Sequence, residues 1–366
     1  MNGPAKHPAA STDFDGTRLT VARRLRGKTK SSLAREVDLT PTAIAQFEKG
    51  PANPSQAVLA KICMALGMPR EFFGAGHPLT LLPASDAHFR SLRSTSAVER
   101  ERALAYGELS LEIVQLIEDY IELPATQLPD FTIPEGITTQ TIDAAVAEVK
   151  SAWGVPTGPI GNMVQLLESH GIVTLRLPTC TDRKVDAFST NAGYRPLVFL
   201  NPGSDDRARS RFDAAHELGH LVLHPDTEPG SKIVENQAHA FAAEFLMPAA
   251  EIGPLLPRRI DWPTFHQLKR DWGVSLRALV FRAHALGKLS QASYRRANQQ
   301  LSMWGLPEPG ELGRAESPQL LGKATDLLAA HDIDLDGILT ARRIVADVTA
   351  DILASGTDDK PKVSFD

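Results

Sequence analysis

Two histidines four residues apart, with a glutamate beside the first, form the grouping in this sequence best suited to chemistry. They are His216, Glu217 and His220, within the pentapeptide HELGH. Residues i and i+4 of an α-helix lie one turn apart on the same face, so both imidazoles can reach one metal ion. Zinc accepts such a pair and lowers the pKa of a bound water toward about 7, which places Glu217 to act as the general base. The spacing therefore predicts zinc-dependent hydrolysis, with Mn²⁺ as an alternative metal.

The surroundings of the pentapeptide favour a helix that packs inside the protein. Apolar residues flank the histidines at helical spacing in the segment RFDAAHELGHLVLH, residues 211–224, and two probable strands precede it. This order of elements is the context that a zincin requires. The alternative is a core helix whose histidines have no chemical role.

A peptidase needs a third protein ligand, for which the sequence offers three candidates. His224 continues the ladder of histidines, but eight residues of helix rise about 12 Å, so His216 and His224 can hardly meet on one ion. Glu235, in the first turn of the next predicted helix, is the preferred ligand. The alternative for Glu235 is a solvated acid favoured by the helix dipole, and Glu244, which points roughly opposite, is the reserve candidate.

A second candidate site lies near the N-terminus, in LAREVDLTPTAIAQFEKG, residues 33–50. The pattern predicts two helices joined by a short turn, with Pro41 at the first position of the second helix. Ile44 and Phe47 anchor that helix to the core, which leaves its opposite face free to enter a major groove. The residues predicted to contact DNA are Lys30, Thr40, Thr42, Gln46 and Lys49.

Charge supports this reading of the N-terminal segment. Residues 17–50 carry eight Lys or Arg and three acids, a net charge of +5, in a chain whose net charge is -5. A positive segment in a negative chain is typical of a local nucleic-acid interface. The alternative is a helical bundle with solvated charged faces.

Length and composition bound the whole chain. Its 366 residues predict two or three compact units, and no apolar run approaches the roughly 20 residues of a membrane span. There is no secretory pattern at the N-terminus and there are two cysteines, so we expect a soluble, cytoplasmic protein. Cys63 is predicted to pack in the interior, and Cys180 lacks a partner or base, so neither is predicted to be catalytic.

Element patterns predict a mostly helical α+β fold. We expect strands at residues 171–178 and 195–201, with helices before and after them. Residues 78–93 are predicted to be loop-like or weakly extended, and residues 95–123 to form a connecting helix. The predicted divisions are a flexible tail (1–16), a helix-turn-helix domain (17–75), a helical connector (76–153), a metallopeptidase-like domain with a small sheet (154–300), and a helical C-terminal region with a disordered end (301–366).

The N-terminal segment resembles the Xre family of helix-turn-helix repressors over roughly residues 19–73. The resemblance is carried by SLAREVDLTPTAIAQFEKG, including the AIAQFEKG end of the recognition helix. It implies an all-α DNA-binding bundle that works as a homodimer on a palindromic operator. Family members often begin the second helix with a glutamine that touches the DNA backbone, whereas Lys30 and Ser31 stand here.

The region of residues 155–300 resembles the ImmA/IrrE metallopeptidase family. The matching segments are VDAFS (185–189), RFDAAHELGHLVLH (211–224) and ENQAHAFAAEFLMP (235–248). The resemblance implies a zincin-like peptidase whose metal ligands are His216, His220 and Glu235 and whose base is Glu217. In some relatives, the resemblance implies, the substrates of the peptidase are Xre-type repressors of stress or prophage genes. His239 stands where many relatives have asparagine.

Together these features predict a DNA-binding transcriptional regulator with a zinc metallopeptidase domain. The expected partners are operator DNA and a protein substrate, such as an Xre-type repressor in stress, prophage or toxin-antitoxin control. We do not expect the protein to bind a membrane. One alternative is a DNA-binding repressor or interaction module with a non-catalytic zinc site. Another is a toxin-like peptidase held by an antitoxin.

Overall fold

In the computed structural model, the described residues are mainly helices around one small sheet. They are residues 14–74, 79, 81–83, 87–89, 96–133, 136–177, 187–201, 206–225, 227, 231–344 and 346–353. The prediction of a mostly helical α+β fold with a helical N-terminal bundle is confirmed. Within these ranges, no helix combines the length and apolar character needed to cross a membrane.

The N-terminal bundle consists of four α-helices and a short 3-10 helix. The helix that carries Thr42, Gln46 and Lys49 is capped by the hydroxyl side chain of Thr40. Pro41 occupies the first turn of this helix. Gly50 ends that helix with φ of 87°, in the left-handed region that glycine enters without steric cost. The elements are α1 (Gly16–Leu25), α2 (Lys30–Glu36), α3 (Pro41–Lys49), α4 (Gln56–Leu66) and the 3-10 helix Arg70–Phe73.

The connecting helix α5 (Ala97–Glu118) is part of the protein interior. Its apolar residues share one core with the N-terminal bundle and with one face of the sheet. Ile113 and Ile117 of α5 are fully buried, as are Leu19 of α1 and Phe188 of the sheet. The helix-turn-helix bundle is therefore packed against the rest of the chain through α5.

The sheet has four strands in the order β1-β3-β4-β2. Strand β2 runs parallel to β4, whereas β3 is antiparallel to both β4 and β1. Strands β2 and β4 lie in the segments predicted to be strands. Strand β1 lies in the segment predicted to be loop-like or weakly extended, and β3 was not predicted. The bounds are β1 (Ala87–Phe89), β2 (Val173–Arg176), β3 (Ala187–Thr190) and β4 (Leu197–Leu200).

The two faces of the sheet belong to different cores, since successive side chains of a strand point to opposite faces. Phe188 and Phe199 pack with α5 in the first core, while Ala187, Val198 and Leu200 pack in a second core with the helices that follow. That second core contains α6 (Thr139–Ala152), α7 (Met163–Ser169), α8 (Arg207–Leu223), α9 (Lys232–Leu246), α10 (Ala249–Ile252), α11 (Trp262–Trp272), α12 (Leu276–Ala285) and α13 (Gln291–Trp304).

The C-terminal helices return to the first core. They are α14 (Leu320–Ala330), α15 (Leu335–Ala341) and α16 (Ala346–Leu353). Leu321 and Leu328 of α14 are buried in the same cluster as α5 and the N-terminal bundle. The residue boundaries predicted for the five divisions of the chain stay predictions.

Candidate metal centre

The helix α8 places the HELGH residues inside the second core. Asp206 caps its N-terminus by accepting from the backbone N–H groups of Ala208 and Arg209. His216, Glu217 and His220 are all fully buried. Burial of three polar side chains on one helix is costly unless each meets a polar partner or a ligand, which marks this stretch of α8 as a functional candidate.

Gly219, inside the pentapeptide, lets α9 pack closely against α8. A Cβ at this position would lie 3.1 Å from the Phe241 side chain, which is tighter than ordinary van der Waals contact. The close approach brings the first turn of α9, where Glu235 lies, to the two histidines.

Three side chains converge where the two helices meet. The His216 Nε2 atom lies 3.0 Å from His220 Nε2 and 3.3 Å from Glu235 Oε2, and His220 Nε2 lies 3.6 Å from Glu235 Oε1. The ligand atoms of the three residues are all within 4.8 Å of one another. Glu235 has a side chain that is 20% exposed, so the cluster is open on one side.

The cluster fits a zinc ion in both chemistry and size. Two imidazoles and one carboxylate are a known catalytic zinc set, which leaves the fourth position open. Ligand atoms at about 2.0 to 2.1 Å from a tetrahedral ion lie about 3.3 Å apart. The observed separations of 3.0, 3.3 and 3.6 Å bracket that value.

Glu217 is directed toward the sheet. Its Oε2 atom accepts a hydrogen bond from Ser189 Oγ at 2.7 Å, and both residues are fully buried. Ser189 lies on β3, so one strand of the sheet directly contacts the side chain that the sequence predicted to be the base. The sequence analysis did not identify Ser189, because its contact with Glu217 spans 28 positions and only the alternation of β3 signals which way it points.

The other ligand candidates lie outside this cluster. His224 Nε2 is 2.9 Å from Gln237 Oε1, and it is not among the grouped ligand atoms. Glu244 forms an ion pair with Arg282 and accepts the backbone N–H of Ala249 at 3.0 Å. The partner of His224 thus lies on α9, and the ion-pair partner of Glu244 lies on α12.

Helix α3 displays most of the predicted DNA contacts. Thr42, Gln46 and Lys49 are exposed, at the spacing that places them along one side of a helix. Thr40 is also exposed, and its Oγ1 accepts the N–H of Ala43 as the helix cap, while Lys30 Nζ lies 3.3 Å from Glu48 Oε2.

Comparison with family models assigns the two regions. Residues 21–73 match a helix-turn-helix model, and residues 167–284 match the peptidase M78 model, described as an IrrE N-terminal-like domain. The chain joins a helix-turn-helix domain to an IrrE-like domain. The metal cluster, Ser189 and Glu217 all lie within the IrrE-like domain.

Comparison with solved structures gives weak likenesses to two regulators. Bacillus thuringiensis PlcR, in complex with the peptide PapR7 and DNA, is 10% identical, with 89% of this chain and 97% of that chain covered and a TM-score of 0.16. ComR from S. thermophilus, in complex with DNA and its signalling peptide ComS, is 14% identical, with 93% and 99% covered and a TM-score of 0.16. Comparison with curated proteins gives no match.

His239 of the IrrE-like domain lies beside the cluster. Its ring centroid is 4.8 Å from that of His216, in an edge-on arrangement, and 5.2 Å from that of Phe212. His239 follows Glu235 by four residues, so both lie on the face of α9 that meets α8. His239 is therefore in direct contact with a metal-ligand candidate.

Arg195 and Tyr194, which precede β4, face α5. Arg195 donates to Glu118 and to the carbonyl oxygen of Pro124, the latter at 2.6 Å. Tyr194 lines a cavity of about 500 Å³ together with Glu108 and other residues of α5. These contacts place both residues on the side of the sheet opposite α8.

The arginines of α1 in the helix-turn-helix domain form ion pairs with carboxylates of the same chain. Arg18 Nη2 lies 2.5 Å from Glu112, and Arg24 Nη1 lies 3.2 Å from Glu108, both on α5. Arg23 Nε lies 2.5 Å from Glu48 of α3. Part of the positive charge counted from the sequence therefore holds the domain to α5, and does not face DNA.

Burial dominates the electrostatics of that interface. It raises the pKa of the Glu108 carboxyl to about 7, against the opposing effect of Arg24. Burial also raises the pKa of Glu112, while Arg18 lowers it. Cys63, on α4 of the same bundle, is partly buried, and burial raises the pKa of its thiol. Cys180 lies outside the described residues.

Proposed function

We propose that the protein is a DNA-binding transcriptional regulator whose IrrE-like domain is a zinc metallopeptidase. The enzyme hydrolyses a peptide bond in a partner protein, such as an Xre-type repressor. This cleavage serves stress, prophage or toxin-antitoxin control. The observation that carries the proposal is the convergence of His216, His220 and Glu235 within 4.8 Å, next to a buried Glu217.

The roles of the residues follow from their positions. His216, His220 and Glu235 would hold a zinc ion, which would supply Lewis-acid chemistry for hydrolysis. Glu217 takes the proton of the attacking water and passes it to the leaving amine. Ser189 donates to one oxygen of the Glu217 carboxylate and so fixes its orientation.

The helix-turn-helix domain places this activity on an operator. Thr42, Gln46 and Lys49 of α3 reach the major groove, while Thr40 and Lys30 contact phosphates at the start of α3 and α2. A homodimer would present two copies of α3 to a palindromic site.

Cleavage of a candidate partner tests the enzymatic part. Purified protein is incubated with Xre-type proteins encoded near its gene, with zinc or manganese, and fragments are identified by mass spectrometry. We expect fragments with the wild type and none with Glu217→Gln, which keeps all three metal ligands. The exposed α6 variant Glu148→Gln is the matched control and should cleave normally. Equal cleavage by Glu217→Gln would contradict the role of Glu217.

A further inference from the structure

Strand β1 belongs to the connector between the two domains, yet it forms the outer strand of the sheet beside the metal centre. It comes after the 3-10 helix Arg70–Phe73 and before α5. It pairs antiparallel with β3, with His88 opposite Ser189 and its two neighbours opposite Thr190 and Phe188. The connector main chain thus completes a sheet whose other three strands lie in the IrrE-like domain.

The strand that β1 covers is the one that touches the proposed base. Ser189, at the centre of the pairing, donates to Glu217 Oε2 at 2.7 Å. Paired residues of antiparallel strands have Cα atoms about 4.5 to 5.5 Å apart. The main chain at His88 therefore runs directly alongside the strand that contacts Glu217.

An exposed strand edge binds extended peptides. It presents a row of N–H and C=O groups, and a peptide can add to it as a further strand through main-chain hydrogen bonds. One side of β3 is paired with β4, so its remaining side is the position where a strand can add. Strand β1 fills that position, so a peptide that adds to β3 on this side has to displace it.

We propose that the connector strand β1 blocks the outer side of β3 in cis, so that an extended peptide can pair with β3 only after β1 is displaced. The partner that displaces β1 is an extended protein segment that pairs with β3 through its main chain. This inference rests on the proposed peptidase function, for which it names the mode of substrate binding and its regulation.

Binding of a strand peptide to the metal-free protein tests the inference. The probe is a fluorescent peptide with the sequence of residues 84–95, ASDAHFRSLRST, followed by anisotropy. In one variant, Ala87→Pro and His88→Pro are combined. Inward and outward N–H groups alternate along an antiparallel strand, so this pair removes one ladder hydrogen bond whichever residue donates it. The matched control, Ala87→Ser with His88→Ala, keeps both N–H groups.

We expect the proline variant to bind the peptide about tenfold more tightly than the wild type and the control, because the competing cis strand is weakened. Hydrogen exchange at residues 187–190 should be faster in the proline variant and should slow again when the peptide is added. Equal affinity in all three proteins, or equal binding of a scrambled peptide, would overturn the inference. These readouts need neither zinc nor turnover, so a protein that fails to cleave any partner would leave them unchanged.

Discussion

Among the places where the described residues bury charged side chains, two do so in opposite ways. At the interface of α1 and α5, carboxylates face guanidinium groups, as in the pairs of Arg18 with Glu112 and Arg24 with Glu108. Between α8 and α9, two imidazoles and a carboxylate point at one common position. The first arrangement balances charge within the protein and serves packing, whereas the second has the geometry of a site for a cation.

Zinc binding should give the largest difference between the two regions. At a free zinc concentration of a thousand times Kd, we expect the free energy of unfolding to rise by about 4 kcal/mol in the wild type. His216→Ala should lose this gain, whereas Glu112→Gln should keep it, because Glu112 lies in the other region. Denaturant titrations with and without zinc measure the effect. An equal gain in His216→Ala would show that zinc binds elsewhere.

Breaking the ion pair of Arg18 should test the packing role of the first region. Arg18→Met leaves the buried Glu112 carboxylate without its guanidinium, so we expect a loss of about 3 to 4 kcal/mol of unfolding free energy. The double variant Arg18→Met with Glu112→Leu should recover most of this loss, since it removes both charges. Zinc content should be normal in both, and a loss of zinc would contradict the separation of the two regions.

The raised pKa of Glu108 predicts that the first region makes a pH-dependent contribution to stability. Its pKa is about 7 in the folded protein, above the ordinary value of 4.5, so the folded state holds a proton that the unfolded state releases. Its contribution to stability is therefore present at low pH and declines as pH rises from about 4.5 to about 7.

Glu108→Gln removes this titration. We expect it to match the wild type at pH 4 and to exceed it by up to about 3 kcal/mol at pH 8, as measured by denaturant unfolding. Glu168 has a similarly raised pKa of about 7 and is retained in both proteins, so the difference between them isolates Glu108. A difference that is constant with pH would contradict the account.

DNA binding should show the smallest effects. Gln46→Ala and Thr42→Ala each remove a side chain of α3 that can reach base edges, and we expect each to weaken binding by about 1 to 2 kcal/mol on fragments selected from genomic DNA. The exposed α4 variant Gln56→Ala is the matched control. Unchanged affinity and sequence preference in both α3 variants would show that another surface reads DNA.

The sequence predicted what local patterns encode. The histidine spacing and the helical period bring His216, Glu217 and His220 to one buried stretch of α8, and Glu235 was identified as an acid in the first turn of the next helix. The helix-turn-helix domain and the IrrE-like domain were both predicted from short segments, and comparison confirms them. The roles of the individual site residues stay predictions.

Contacts between distant segments escaped prediction. Arg18 and Glu112 are 94 positions apart, so a count of positive charge near the N-terminus could not show that α5 neutralises part of it. The pairing of β1 with β3 joins segments about a hundred residues apart, which no local pattern could show. Periodicity finds elements, whereas the pairing of elements depends on the whole fold.

Zinc K-edge X-ray absorption on the zinc-loaded wild type and on His216→Ala tests the central claim most directly. The account predicts two imidazole nitrogens and carboxylate oxygen at about 2.0 to 2.2 Å in the wild type, with a reduced imidazole signal or loss of zinc in the variant. A zinc shell without histidine, or the same shell in both proteins, would contradict it.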